Sequence, residues 1–301
     1  MTNFFIFALS SNNLKKTAIM NTKGGRHMFC DYHLHTEFSD DSDYLMEDVV
    51  KDAIEKGIEE ICFTDHVDYG IKLDWDDPDF IEGKSVLNVN YPAYFQKIEY
   101  LTKKYYNKIR IKKGLEFGIQ THTIDKFKKL FDRYTFDFII LSIHQIEDKE
   151  FWTGDFQKNK TEDQYYQRYY QELYEVVKNY HDYSVIGHFD LIKRYDNKDG
   201  YSGFENNKEI ITAILKCIIE DGKGIELNTS SIRYGLNDLM PSRKILKLYH
   251  DLGGRIITIG SDSHESAHLG AYIEEMKDEL RKIGFKEFCT YKQMEPIFHK
   301  L

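Results

Sequence analysis

The sequence predicts an α/β chain whose strands run parallel and close into a TIM-like barrel of seven β/α units. Three observations lead there. Seven short apolar runs recur from residue 29 onward, stretches of helical periodicity separate them, and no glycine-rich turn follows the first run. Strands separated by helices require right-handed crossovers, and those make a parallel sheet. Seven such units between residues 29 and 283 fit a closed barrel with one strand fewer than the usual eight. An open doubly wound sheet, the runner-up, would carry a phosphate-binding turn after its first strand.

The first run, FCDYHLH (29–35), holds His33 and His35 two apart, which in a strand places both imidazoles on one face. YLMEDVVKDAIEKG follows, with Met46, Val49, Val50, Ala53 and Ile54 forming the stripe of an amphipathic helix that ends at Gly57. EEICFTDH (59–66) is the second strand. The acidic stretch DWDDPDFIEG (74–83) reads as a loop inserted after it, either a solvated excursion or part of a lid. The strands that follow are IRIKKGLEFGI (109–119), DFIILSIHQI (137–146), YSVIGHFD (183–190), GIELNTS (224–230) and RIITIGSDSH (255–264). Helical stripes occupy 91–107, 123–134, 161–180, 207–221, 242–252 and 269–283, and no element is predicted beyond 283.

With 301 residues, 41% of them hydrophobic, the chain can bury a large core without disulfide staples. Its four cysteines, Cys30, Cys62, Cys217 and Cys289, form no C-x-x-C pair, which fits a reducing, cytoplasmic setting. A formal net charge of −9 without a dense Lys/Arg tract argues against nucleic acid as the main partner. No apolar run approaches the roughly 20 residues of a membrane helix. Residues 1–27 do not join the β/α pattern, and KGGRHM can be encoded by a purine-rich stretch of ribosome-binding type followed by ATG. The expectation is therefore an N-terminal extension, disordered or non-native, over 1–27 and a single domain over 28–301. The oligomeric state is not legible.

Of the twelve histidines, His33, His35, His66, His144, His188 and His264 sit at or near the C-terminal ends of candidate strands, as do Glu116 in GLEFG and Asp262 in GSDSH. In a parallel barrel those ends converge on one face. Eight imidazoles and carboxylates on one mouth destabilise one another unless cations neutralise and bridge them, so the pattern implies a metal centre. His122, His181, His250, His268 and His299 read as structural or exposed.

H-x-H after the first strand, TDH after the second, then GLE, SIH, GHFD and a terminal SDSH, in this order, resemble the PHP (polymerase and histidinol phosphatase) superfamily over residues 28–270. DYHLHTEFSDDS, GHFDLIKRY and ELNTSSIR look most like its histidinol-phosphatases, enzymes of histidine biosynthesis. The resemblance implies a distorted seven-stranded barrel with three divalent ions, zinc, manganese or iron. It implies that His33, His35, Glu116 and Asp262 hold one ion, that Glu116 bridges to a second held by His144 and His188, and that His66 and His264 hold the third. An acidic residue of the loop after H-x-H completes the third set. Many superfamily members have a histidine there, whereas this chain offers Asp40 or Asp41, with Asp41 favoured; a carboxylate shifts that site toward harder ions.

Such a centre suits hydrolysis of a small phosphate ester. Asp262 is the expected proton acceptor for the attacking water, with Glu116 bridging the ions and His264 near the leaving group. Arg194 in LIKRY and Arg233 in NTSSIRYG are candidate phosphate ligands, since a guanidinium binds phosphate in a bidentate way. Asn228 is a candidate for orienting the same loop. Nearby acidic residues, loop 74–83 included, and aromatic side chains are the candidates for holding an ammonium and a ring. The competing readings are a nucleotide or oligonucleotide phosphoesterase and a catalytically silent metal-binding scaffold.

Overall fold

The structure is a computed structural model, and it describes residues 28–196 and 203–301. The expected extension over 1–27 lies outside the described residues. The chain begins on the barrel floor, where buried Met28 gives its carbonyl to Lys277 Nζ at 2.6 Å.

Seven parallel strands form the wall: β1 (Cys30–Asp31), β2 (Glu60–Phe63), β4 (Arg110–Gly118), β5 (Phe138–Ser142), β8 (Val185–Ile186), β9 (Gly224–Asn228) and β10 (Ile257–Gly260), adjacent in that order. A two-residue strand β3 (His66–Val67) prolongs the second strand and pairs with β4. The first and last strands meet through single bonds: Tyr32 N donates to Ile259 O at 3.2 Å, His35 N to Ser263 O at 2.8 Å and Ser263 N to His33 O at 3.3 Å. That thin seam nearly closes the cylinder. The remaining strands are two hairpins, β6 (Gln145–Ile146) with β7 (Lys149–Glu150) at the mouth, and β11 (Glu287–Lys292) with β12 (Glu295–Lys300) beside the floor.

The helices form where the apolar stripes lie. They are α1 (Met46–Glu55), α2 (Tyr91–Lys104), α3 (Ile124–Arg133), α4 (Glu162–Asn179), α5 (Gly203–Asn206), α6 (Lys208–Glu220), α7 (Ser230–Arg233), α8 (Arg243–Asp251) and α9 (Ile273–Ile283). In α1 the buried residues are Met46, Val49, Val50 and Ala53, the predicted stripe less its edge. Starts follow local capping chemistry. Thr161 and Gln164 form a reciprocal capping box on α4, and Asn90 caps α2 by accepting from Ala93 N at 3.1 Å. Strands buried on both faces read as continuous apolar runs, and Phe138 through Leu141 are wholly buried.

The strands are shorter than the runs that predict them. FCDYHLH keeps only Cys30–Asp31 in its ladder, because the chain leaves the sheet to deliver His33 and His35 to the mouth. No helix among the described residues is long and apolar enough to cross a membrane.

Candidate metal centre

β4 supplies the middle of the site. Alternation along the strand turns Phe117 outward against Phe127 of α3 and Glu116 inward, where it is fully buried. Five imidazoles surround that one carboxylate. Glu116 Oε2 lies 3.1 Å from His33 Nε2, 3.0 Å from His66 Nδ1 and 3.5 Å from His35 Nε2, while Oε1 lies 2.7 Å from His188 Nε2 and 3.1 Å from His144 Nε2. Asp262, at the end of β10, places Oδ1 3.7 Å from His33 Nε2 and 3.5 Å from His35 Nε2. Asp41 Oδ2 lies 3.1 Å from His264 Nε2 and 3.4 Å from His66 Nε2. The His35 ring is stacked between those of His66 and His264, with centroids 4.1 and 4.2 Å away.

All nine candidate ligands therefore gather in one cluster. They resolve into four overlapping sets: His35, Asp41, His66 and His264; His33, His35 and Asp262; His33, Glu116 and His188; and His66, Glu116 and His144. Within each set the donor atoms lie within 4.8 Å of one another, close to the span of two metal–ligand bonds of about 2.0–2.3 Å. Two details differ from the grouping the resemblance implies. His66 faces Asp41 with one nitrogen and Glu116 with the other, and His144 and His188 fall in separate sets, each with Glu116. Of the two loop carboxylates, Asp41 meets the histidines, whereas Asp40 is taken by Lys72 Nζ at 2.5 Å.

The donor set fits divalent ions on two further counts. His35 Nε2, His66 Nδ1 and His188 Nδ1 are buried without a hydrogen-bond partner, even though Glu116 oxygens approach the first two to 3.5 and 3.0 Å; proximity without hydrogen-bond geometry leaves these lone pairs for another acid. The carboxylates and His35 have the charge states that ligate. The surrounding carboxylates outweigh burial at His33, His66 and His144 and push them up toward the imidazolium, whose proton a bound cation would displace. Burial works to raise Glu116, but the imidazoles of His33, His144 and His66 outweigh it and hold the carboxyl well below the usual range. Asp262 is held low against the same burial by His33, His35 and Arg194. His35 goes the other way: burial and the neighbouring His66 and His264 keep it neutral, the form that ligates.

A second layer of carboxylates orients the imidazoles, and the sequence reading missed it. Glu226 on β9 meets His33 Nδ1 at 2.6 Å and accepts from His188 N at 2.9 Å; Asp68 meets His144 Nδ1 at 2.8 Å. Such partners fix ring orientation and tautomer. The available signal was a lone glutamate inside the apolar strand GIELN. Two glycines make room for these pairs. A Cβ at Gly118 would lie 1.9 Å from Asp68 Oδ1, and one at Gly260 would lie 2.3 Å from His33 Cβ and 2.5 Å from Glu226 Oε1. Two residues of the cluster also hold a positive φ, His188 (25°) and Asp262 (54°).

The candidate substrate residues separate. Arg194 reaches the centre, donating to Asp262 Oδ2 at 3.1 Å and Ser230 Oγ at 2.7 Å, with its Nε buried and unpartnered. Arg233 donates to the backbone carbonyls of Ser261 at 3.2 Å and Asp262 at 2.8 Å, so it braces the ligand loop. Asn228 is buried; its Oδ1 accepts from Ser230 N at 3.0 Å and it orders the loop from behind. A cavity of about 410 Å³ over the centre is walled, beyond the ligands, Arg194 and the Asp40–Lys72–Asp68 group, by Gln145, Glu150, Trp152, Leu191, Tyr195 and Tyr234. Loop 74–83 contributes nothing to that wall. Its Asp74 is tied instead to Tyr69 and Tyr91, at 3.2 and 2.9 Å. His122, His181 and His250 pair with nearby carboxylates and His299 with Thr290, but His268 lines an adjoining cavity with Arg233 and His264.

A seven-stranded parallel barrel whose mouth gathers histidines and carboxylates around one bridging glutamate is the architecture of the PHP domain; residues 31–230 match that domain, and the chain belongs to the family. Within it the similarity runs to the histidinol-phosphatases. The chain is 33% identical over 267 residues to the histidinol-phosphatase of Lactococcus lactis, covering 88% of this chain and 95% of that one. It is 30% identical over 257 residues to a probable histidinol-phosphatase of Thermotoga maritima, covering 85% of this chain and 93% of that one. The crystal structure of histidinol phosphate phosphatase from Lactococcus lactis, complexed with zinc, L-histidinol and phosphate, matches with a TM-score of 0.80 at 32% identity, over 90% of this chain and 99% of that one.

Proposed function

We propose that the chain hydrolyses L-histidinol phosphate to L-histidinol and inorganic phosphate at the barrel mouth, with three divalent ions held by the nine clustered side chains. The observation that carries this is Glu116, one buried carboxylate shared among five imidazoles, with the Arg194–Asp262 pair beside it. Bound divalent ions lower the pKa of a water, hold phosphoryl oxygens and neutralise charge on the leaving oxygen. Asp262, kept ionised by its cationic neighbours, accepts the proton of the attacking water. Arg194 directs its unpartnered Nε–H to the phosphoryl group. His264, on the rim, passes a proton to the departing alcohol through solvent. Asp41 among imidazoles biases its site toward manganese or iron, and the inner sets suit zinc equally.

The wall of the cavity matches the rest of the substrate. Glu150 offers a carboxylate to the ammonium, and Trp152 and Tyr195 offer flat faces to the imidazole. These residues replace loop 74–83 in that role. The enzyme works as one domain over 28–301 in the cytoplasm, on a small molecule and not on nucleic acid.

A phosphate-release screen over phosphorylated metabolites, run with Mn²⁺ and with Zn²⁺, tests the assignment. Histidinol phosphate should exceed sugar phosphates and nucleotides by about 10²-fold in kcat/KM. Equal hydrolysis of nucleotides would remove the substrate and leave the phosphoesterase class.

A further inference from the structure

One lysine lines the cavity over the metal centre, and its ammonium is engaged on two sides at once. Lys72, 8% exposed, places Nζ 2.9 Å from Asp68 Oδ2 and 2.5 Å from Asp40 Oδ1. The other Asp68 oxygen meets His144 Nδ1 at 2.8 Å, which turns His144 Nε2 toward Glu116. Asp40 directly precedes Asp41, the carboxylate facing His66 and His264. We propose that Lys72 is a positioning residue: by tying Asp68 to Asp40 it fixes the Asp41 loop against the His144 side of the centre and so sets how tightly the ion at His35, Asp41, His66 and His264 is held. This rests on the metal-centre reading above.

The physical case is one of loop order and charge. Asp40 and Asp41 are both exposed, and the turn that carries them is anchored at its ends by Ser39 Oγ, which donates to Asp65 at 2.8 Å, and by Ser42 Oγ, which donates to His264 O at 2.9 Å. Between those anchors Lys72 holds Asp40. Without it, the ion and the two histidines that face Asp41 must order the turn, at a cost in conformational entropy. A buried ammonium between Asp40 and Asp68 also offsets the repulsion of these two carboxylates, which it holds at 2.5 and 2.9 Å. Lys72 is itself poorly placed to take substrate phosphate, because two carboxylates already share its charge.

The test is metal content of purified, metal-loaded enzyme against graded chelator, with steady-state kinetics alongside. Lys72→Met should release one ion per chain at about 10- to 100-fold lower chelator strength than the wild type. Its kcat should be restored by excess Mn²⁺, with KM changed by less than about threefold, and Lys72→Arg should retain the ion. Asp40→Asn, at an exposed position, should shift release in the same direction if Lys72→Met does not fold. Wild-type chelator resistance in either folded variant overturns the proposal. A raised KM that excess metal does not rescue also overturns it, since that marks a direct substrate contact. If wild-type enzyme itself retains no divalent ion, it is the metal-centre reading that fails.

Discussion

Glu60 and Glu116 are both buried glutamates on barrel strands, one at the floor and one at the mouth, and they are satisfied in opposite ways. Glu60 is enclosed by the protein's own donors: the Tyr32 hydroxyl, Arg110 Nε at 2.7 Å and Lys112 Nζ at 3.9 Å. Glu116 accepts from Ser142 Oγ at 2.6 Å and is otherwise enclosed by imidazoles, several of whose nitrogens have no hydrogen-bond partner. A floor carboxylate closes its own charge balance, and a mouth carboxylate leaves its balance open to an added cation. Burial of a charge is therefore a poor guide to function by itself. What its neighbours lack is the better guide.

The largest test of this contrast is Glu116→Ala. It should lower kcat/KM by about 4 kcal/mol or more, roughly 10³-fold, and release metal from a chain whose far-ultraviolet dichroism is unchanged. Chelation should lower the melting temperature of the wild type by more than that of this variant, which keeps only the sets without Glu116. Wild-type turnover by the chelated, metal-analysed variant would end the assignment of the centre.

Two arginines sharpen the comparison at intermediate size. Arg194→Ala, at the mouth, should lower kcat/KM by roughly 2–3 kcal/mol, as on losing a charge-assisted contact. Arg110→Ala, on the half-exposed floor pair, should leave steady-state kinetics untouched. Equal kinetic losses in both would show a general loosening of the barrel.

The smallest effect belongs to Glu60→Gln. It should cost about 1–3 kcal/mol of unfolding free energy, measured by urea titration, because Tyr32 and Arg110 lose a charged acceptor. Activity per folded molecule should stay at the wild-type level.

Much of this was legible before any coordinates. The seven wall strands and the main helices follow from apolar periodicity, and eight of the nine clustered candidates follow from histidines and carboxylates at strand ends, Asp41 coming from the family resemblance alone. The two hairpins were not legible, for a definite reason. Both turn on consecutive non-glycine residues with positive φ, Glu147–Asp148 and Gln293–Met294, whereas the readable signal for such a turn is Asn-Gly or Asp-Gly. Contacts distant in sequence hold them instead: Asp148 bonds Gln120, and Gln293 N and Met294 N donate to Asp137 at 3.1 and 2.9 Å. Asp40 and Asp41 are likewise equivalent as letters. The sequence favours Asp41, and the structure separates the two by the contacts of Asp41 with His66 and His264 and by Lys72, brought in by a separate loop, which takes Asp40.

The seam between the first and last strands has a consequence for how the site comes into being. Asp41 and His264 face each other from positions 223 residues apart, and the strands that carry the neighbouring ligands are joined by only a few backbone bonds. Loops that long are closed late, after local contacts have formed. On a growing chain, His33 and His35 emerge with the first strand and meet Asp262 and His264 only when the last strand arrives. Full activity is thus a report on completed closure of the cylinder: a chain halted before residue 262 can hold most of its helices and still lack the two sets that Asp262 and His264 complete.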